Sequence, residues 1–282
     1  MFTDSHCHLS FPELKSQLPQ IRQAMADAHV TRALCICTTI EEFDDVHALA
    51  MGYDNFWSTV GVHPDNEGIY EPTVDDLVQR SQRPKVVAIG ETGLDYYQMQ
   101  ERKGGRTVAD MEWQRERFRT HIRAAGATGL PLVIHTRNAS DDTLAILREE
   151  MHAHAGQSAT LGIQAATHSK PITGVFHCFT ESMAVARAAL DLGFYISFSG
   201  ILTFKAAADL REVAAYVPLD RCLIETDSPY LAPMPYRGKT NNPSYVPFVA
   251  QQLATLKSIS IESVAQATSD NFDHLFSHAL HA

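Results

Sequence analysis

Eight short apolar runs, most of them followed by a helix-like stretch, constrain this chain more than any other feature of its sequence. They are FTDSH (2–6), RALCICTT (32–39), FWSTVGVH (56–63), VVAIGE (86–91), PLVIHT (131–136), GVFHCF (174–179), FYISFSG (194–200) and CLIETD (222–227). Several are apolar on both faces, and runs buried on both faces and joined by crossovers belong to a parallel sheet. Between them, 110–128 carries Met111, Phe118, Ile122 and Ala125 at helical spacing, 184–193 stops at Gly193, and 207–218 ends before Pro218. Residues 260–276 read as a terminal helix that closes the domain. Eight strands with intervening helices predict a (β/α)8 TIM barrel, with a doubly wound open sheet as the rival. The length of 282 residues and the even spacing of the runs favour the barrel, as a single α/β domain over 1–282. Two stretches, 96–110 and 154–170, read as long loops, the second as an insertion between strands five and six.

The bulk properties exclude several classes. No apolar run reaches the length of about 18 residues that a membrane span needs. The opening MFTDSHCH leaves no room for a leader, so a cytoplasmic protein is expected. A net charge of −10 argues against coating nucleic acid by general electrostatics, although metal ions and a local basic cluster can still neutralise phosphates at one site. The five cysteines (Cys7, Cys35, Cys37, Cys178 and Cys222) form no C-x-x-C pair and read as buried thiols. Strand alternation turns Cys7 and Cys178 away from the histidines beside them, which assigns both to packing.

In TDSHCHLS, side chains two apart share one side of an extended strand, so His6 and His8 project together with Asp4. In a barrel, reacting groups come from the C-terminal ends of several strands. That rule collects His6 and His8 from strand one, His63 from strand three, Glu91 from strand four, His135 from strand five, His177 from strand six and Asp227 from strand eight. Singly, each has an ordinary explanation as a hydrogen-bonded core histidine or a turn acid. Together, they would make a costly cluster of desolvated polar groups, and a bound cation supplies the partner they lack. His6, His8, Glu91, His135, His177 and Asp227 are too many ligands for one catalytic zinc and suit two divalent ions. His6, His8 and Asp227 are assigned to one ion, His135 and His177 to the other, and Glu91 lies between them. Two such ions about 3.5–4 Å apart can hold a bridging hydroxide, which makes hydrolysis the natural reaction.

These residues fall in DSHCHL (4–9), GVHP (61–64), GETGLDYY (90–97), IHTRNA (134–139), FHCF (176–179), ETDSPYLAP (225–233) and RGKTNNP (237–243). The ordered series resembles the TatD family of metal-dependent deoxyribonucleases in the amidohydrolase superfamily, and runs through essentially the whole chain to TSDNFDHLF. The resemblance implies a barrel of the metal-dependent hydrolase type, a two-metal centre and 3′-5′ exonuclease-like hydrolysis of DNA phosphodiesters. It supports the six ligands position by position and marks His63 as a residue near the site that either backs the ligands or faces the phosphate. Three positions depart from the family's usual residues: Ser10 and Asn138 where acids are common, and Asn242 within the usual N-E-P. None is a proposed ligand.

The expected mechanism has Asp227 accept the proton of the attacking water, and His63 hydrogen-bond a non-bridging oxygen or protonate the leaving group. Arg137, Arg237 and Lys239 are expected to hold flanking phosphates, and Tyr96 and Tyr97 to stack on a base or pack their loop. The cofactors are two divalent ions, Zn, Mg or Mn, and the partner is DNA, single-stranded or at a 3′ end, met by a monomer. The alternatives are a small-molecule amidohydrolase or lactonase with the same centre, and a metal-binding protein without activity.

Overall fold

The computed structural model describes residues 1–100, 105–160 and 171–276. Eight strands appear in it: β1 (Phe2–Cys7), β2 (Val30–Cys35), β3 (Phe56–Val60), β4 (Val86–Asp95), β5 (Leu132–Arg137), β6 (Gly174–Phe176), β7 (Tyr195–Phe198) and β8 (Cys222–Ile224). They pair in chain order, every neighbouring pair parallel. The helices are α1 (Pro12–Lys15), α2 (Leu18–Asp27), α3 (Phe43–Met51), α4 (Val74–Ser81), α5 (Glu112–Thr128), α6 (Ser140–Thr160), α7 (Met183–Asp191), α8 (Ala208–Tyr216), α9 (Val246–Lys257) and α10 (Ile261–Leu275). The result is the expected (β/α)8 barrel, nearly closed. Its seam is a single parallel bridge between Cys7 and Ser228, flanked by Asp227 N–H donating to His6 O (3.0 Å) and His8 N–H donating to Ser228 O (2.8 Å). The barrel therefore closes through the backbone of the same residues that the strand-end rule picked out.

Alternation divides the strand residues between two packed layers. Ala33, Ile89, Leu132, Phe176 and Ile196 pack outward with helix residues such as Phe118, Ile122 and Val249. Leu34, Val87, Val133, Val175 and Leu223 fill the interior, where Phe272, Leu275 and Phe276 from the end of α10 join them. Helix α10 is tied to the N-terminal ends of the strands, by Thr3 Oγ1 to Ser269 Oγ (3.0 Å) and by Asn271 Nδ2 donating to Cys222 O (2.8 Å). It plugs that mouth, which leaves the opposite end for chemistry.

Two register breaks matter. Between Asp4 and Cys7, β1 spans three steps against two on β2, and between Ile89 and Thr92, β4 does the same against β5. Each break places an extra residue beside His6 or Glu91, the kind of bulge that re-aims a side chain next to a site. Strand β4 also continues past the expected end at Glu91 to Asp95, with all ten residues buried. Past Glu91 it reads Thr92, Gly93, Leu94 and Asp95, in which hydropathy gives no strand signal, and Asp95 is held there by His135 and by the Tyr97 N–H. Helix α6 likewise extends through 154–160, where a loop was expected, with His154 packed against Gly126 of α5. The remainder of that expected insertion, 161–170, lies outside the described residues. Among the described residues no helix is long and apolar enough to cross a membrane.

Candidate metal centre

Strand ends bring His6, His8, His63, Glu91, His135, His177 and Asp227 into one cluster. Glu91, only 2 % exposed, is its centre. His6 Nε2 lies 3.3 Å from Glu91 Oε2, while His63 Nε2, His135 Nδ1 and His177 Nε2 lie 3.3, 3.4 and 2.7 Å from Glu91 Oε1. Asp227 Oδ1 stands 3.6 Å from His6 Nε2 and 3.4 Å from His8 Nε2, and the two Nε2 atoms are themselves 3.2 Å apart. Asp227 reaches this position with φ of +56°, a left-handed conformation uncommon for a residue with a side chain. The His6 and His177 rings stack at 3.8 Å.

The electrostatics follow from this crowding. Burial alone would push Glu91 up, but the charges of His177, His63 and His6 and a hydrogen bond from His135 hold it well below the usual carboxylate range. Burial would lower His177, yet Glu91 and Glu225 raise it well above the ordinary imidazole value. His8 and His135 are also raised against burial, by Asp227 and Glu91 and by Asp95 and Glu91 respectively, whereas burial and the charge of His177 lower His6. Protons on imidazoles thus stand where positive charge is demanded.

The donor set fits a divalent cation. Glu91 Oε2 and His177 Nε2 are buried without a hydrogen-bond partner, although His6 Nε2 stands 3.3 Å from the first and Glu91 Oε1 2.7 Å from the second. Three groups could hold an ion: His6, His8 and Asp227; His6, His177 and Glu225, which shares His6 with the first; and His63, Glu91 and His135, each with ligand atoms within 4.8 Å of one another. Hydrogen bonds to the far ring nitrogens discriminate among these histidines. His135 Nε2 meets Asp95 Oδ2 at 3.1 Å and His177 Nδ1 meets Glu225 Oε1 at 3.3 Å, so in each the outer nitrogen holds its proton against a carboxylate and the inward nitrogen is the one that gives up a proton to a cation. His63 is the reverse: Asp65 N–H donates to its Nδ1 (3.0 Å), which leaves the proton on the inward Nε2. His63 therefore faces Glu91 as a donor.

Helix α5 holds the backbone behind His63. Arg117 Nη1 donates to His63 O (2.8 Å), and one turn later His121 Nε2 accepts from Val62 N–H (3.0 Å) while its Nδ1–H donates to Arg117 O (2.8 Å). Gln114 of the same face accepts from Asp95 N–H (2.9 Å). Burial pushes His121 from 6.5 down to about 4, so the folded ring stays neutral. The unfolded chain binds the extra proton between those values, and stability is therefore lost as pH falls from 6.5 to 4. A loss of about 3 kcal/mol from this group is expected over that window. Urea unfolding at several pH values checks it: His121→Gln should flatten the decline, and an unchanged slope would remove His121 as its cause.

Other expected residues are placed differently. Arg137 lines the cleft with its guanidinium 3.8 Å above the Tyr97 ring, but Arg237 and Lys239 sit on an exposed turn over Phe204 and Tyr236, outside the cleft lining. Tyr96 is buried and its hydroxyl donates to Asp142 (2.6 Å), so it packs its loop and is closed to a base. Cys7 packs as expected, with its thiol on Leu34 O. Cys178 does not follow strand alternation, because β6 ends at Phe176 and Cys178 has φ of +42°; its side chain lines the cleft beside Ser199. Burial and the Asp227 charge push its thiol far up, which keeps it neutral. Asn242 accepts from Ser244 N–H (3.0 Å) at the start of a short 3-10 helix, and Asn138 occupies a left-handed φ of +54° that asparagine tolerates. Ser10 is a departure whose buried hydroxyl has no hydrogen-bond partner.

Sequence reasoning missed Asp95, Glu225, Arg117 and His121. Asp95 lies four residues beyond Glu91 on the same strand, and Glu225 two before Asp227. Gln114, Arg117 and His121, at spacings of three and four, are buried polar residues on a helix otherwise read by its apolar stripe.

The family described as TatD related DNase matches residues 3–277. The uncharacterized metal-dependent hydrolase YcfH of Escherichia coli K12 is 44% identical over 97% of this chain and 94% of its own length. The 3′-5′ ssDNA/RNA exonuclease TatD of Salmonella typhimurium is 29% identical over 88% of both chains. The crystal structure of YJJV, a TatD homolog from E. coli K12, superposes with a TM-score of 0.81 at 26% identity, covering 98% of each chain. With a family match over nearly its whole length and a cluster of donors suited to a cation, this chain belongs to the TatD family and is a metal-dependent hydrolase.

Proposed function

We propose that this chain is a nuclease that removes nucleotides from the 3′ end of DNA. In this reading His6, His8 and Asp227 hold one divalent ion, His135 and His177 a second, and Glu91 lies between them. The observation that carries it is the convergence of these donors on one buried carboxylate, at the floor of an open cleft of about 740 Å³ whose lining includes Arg137. The printed activity of the Salmonella relative supports the same substrate class.

Such ions, when bound, acidify a water and neutralise phosphate oxygens. The chain's own residues do the rest. Asp95 and Glu225 fix the rings of His135 and His177 so that their lone pairs face inward. Asp227 accepts the proton given up by the attacking water. His63, whose proton is held on Nε2, donates it to a non-bridging oxygen or to the departing 3′ oxygen. Arg137, half exposed, pairs with a phosphate of the strand beyond the cut.

Single-stranded DNA labelled at its 5′ end, incubated with Mg²⁺, Mn²⁺ or Zn²⁺, should shorten one nucleotide at a time from the 3′ end. Arg137→Ala should raise KM by about tenfold with kcat little changed, as expected for a lost charge-assisted contact made in both ground and transition states. Intact DNA with all three ions, alongside turnover of a lactone or an N-acyl amino acid, would replace the nuclease reading with the small-molecule one.

A further inference from the structure

We infer that the cleft wall formed by Phe11 and Tyr230 receives the nucleobase of the terminal nucleotide, and so sets the enzyme's demand for an unpaired base at the end it trims. This assignment rests on the nuclease reading above and names how that substrate is recognised.

The cleft is chemically lopsided. Among its described lining residues Arg137 is the only arginine or lysine, and it stands over Tyr97 on the β4–β5 side. Beside the cluster's own His8 and Asp227, the β7–β8–β1 side carries Phe11, Tyr230, Leu231 and Ile201, none of them charged. Phe11 stacks on His8 (ring centroids 4.7 Å apart, planes at 22°), and the Tyr230 ring lies 6.4 Å from Phe11 and 6.5 Å from His8. The aromatic surface therefore continues directly from the metal cluster. A 3′-terminal nucleotide brings a sugar and a base past the scissile phosphate but no further phosphate. The strand on the other side of the cut brings more phosphates. An uncharged aromatic wall suits the first and a lone arginine the second.

The wall is also built to be rigid, at a cost in backbone conformation. Tyr230 is 55 % exposed, yet the carbonyls of Thr226 and Tyr230 both accept from Asn241 Nδ2 (2.9 and 2.7 Å), and Asn241 is itself fully buried. Leu231 next to it has φ of +57°, an outlier for a bulky residue. The loop fits only because Gly200 opposite has no side chain: a Cβ there would lie 2.0 Å from Leu231 O. The same bonds bracket Asp227, so the tyrosine is held by the segment that carries a proposed metal ligand. A stacking surface fixed in this way gains, because little ordering entropy remains to be lost when a flat ring docks.

The test compares a 3′-terminal adenine nucleotide with a 3′-terminal abasic residue on otherwise identical single strands. The metal-loaded wild type should favour the base-bearing end by about tenfold to a hundredfold in kcat/KM, the range for one stacked base. Tyr230→Ala and Phe11→Leu should each pull that ratio toward one, while Tyr230→Phe, which keeps the ring, should preserve it. A wild-type ratio near one, or a ratio that Tyr230→Ala leaves intact, overturns the assignment. Calorimetric binding of 2′-deoxyadenosine 5′-monophosphate against 2-deoxyribose 5-phosphate separates this inference from the nuclease reading. If no end is trimmed yet the nucleotide binds tighter by a margin that Tyr230→Ala abolishes, the wall stands and the nuclease reading falls. Equal binding of the two ligands overturns the wall.

Discussion

Replacing Glu91 by glutamine is expected to cut hydrolysis by about a thousandfold, the largest effect of any single substitution in the cleft. The side chain keeps its shape and loses only its charge. Glu91 is buried, four imidazoles point at its two oxygens, and those imidazoles hold it ionised against burial. A neutral amide removes the anion around which the other donors are arranged, so divalent ions should bind far more weakly. Saturating metal should stabilise the wild type by about 4 kcal/mol at a thousandfold excess over its dissociation constant, and the variant by much less. The sign of the pH effect is also set. His8, His135 and His177 are raised in the metal-free protein, so they carry protons that an arriving cation must displace. Metal affinity of the wild type should therefore fall as pH drops, with protons released on binding, and Glu91→Gln should release fewer. Elemental analysis, turnover and denaturant midpoints on one preparation of each protein check all of this. Unchanged turnover and metal content in the variant would sink the proposed centre.

What was legible in the sequence depended on where a residue's partner comes from. The strands were visible because a parallel barrel buries both faces of each, leaving apolar runs that no solvent-facing pattern interrupts. His6, His8, His135, His177 and Asp227 were visible because they stand where those runs stop. Asp95 was hidden by the same logic: strand β4 continues past Glu91 through Thr92, Gly93, Leu94 and Asp95, a stretch with no apolar run to mark it as strand. Glu225 was hidden by its neighbour, since only one acid of a pair two apart was needed to complete the expected set. Arg117 and His121 were out of reach for a different reason. On a helix, a polar residue is solvent-facing by default, and nothing local shows that this face meets the carbonyl of His63 and the N–H of Val62. The left-handed turn at Cys178 goes with contacts distant in sequence, its N–H to Glu225 and its thiol beside Ser199, to which periodicity is blind.

The close passage of β4 against β5 makes Gly93 the point at which fold and site are least separable. Gly93 pairs with His135 across the ladder and has φ of +132°, which side-chain-bearing residues rarely adopt. A Cβ there would lie 1.9 Å from His135 O, and a backbone carbonyl cannot swing aside as the end of a side chain can. Gly93→Ala must therefore part the two strands just where Glu91, Asp95 and His135 converge. Overpacking and backbone strain together predict a loss of about 3–5 kcal/mol. Gly193→Ala is the matched control: φ is +85° there too, but nothing lies within 4 Å of the added carbon, so only the conformational cost of about 1 kcal/mol applies. Urea unfolding measures both. The site adds a second reading, because a displaced His135 loses Asp95 along with its aim at Glu91. In Gly93→Ala metal affinity should fall even below the denaturant concentrations that unfold the chain, and in Gly193→Ala it should not. Equal destabilisation by the two substitutions would mean that β4 and β5 part freely, and the positions of Glu91 and His135 would then owe nothing to the glycine between them.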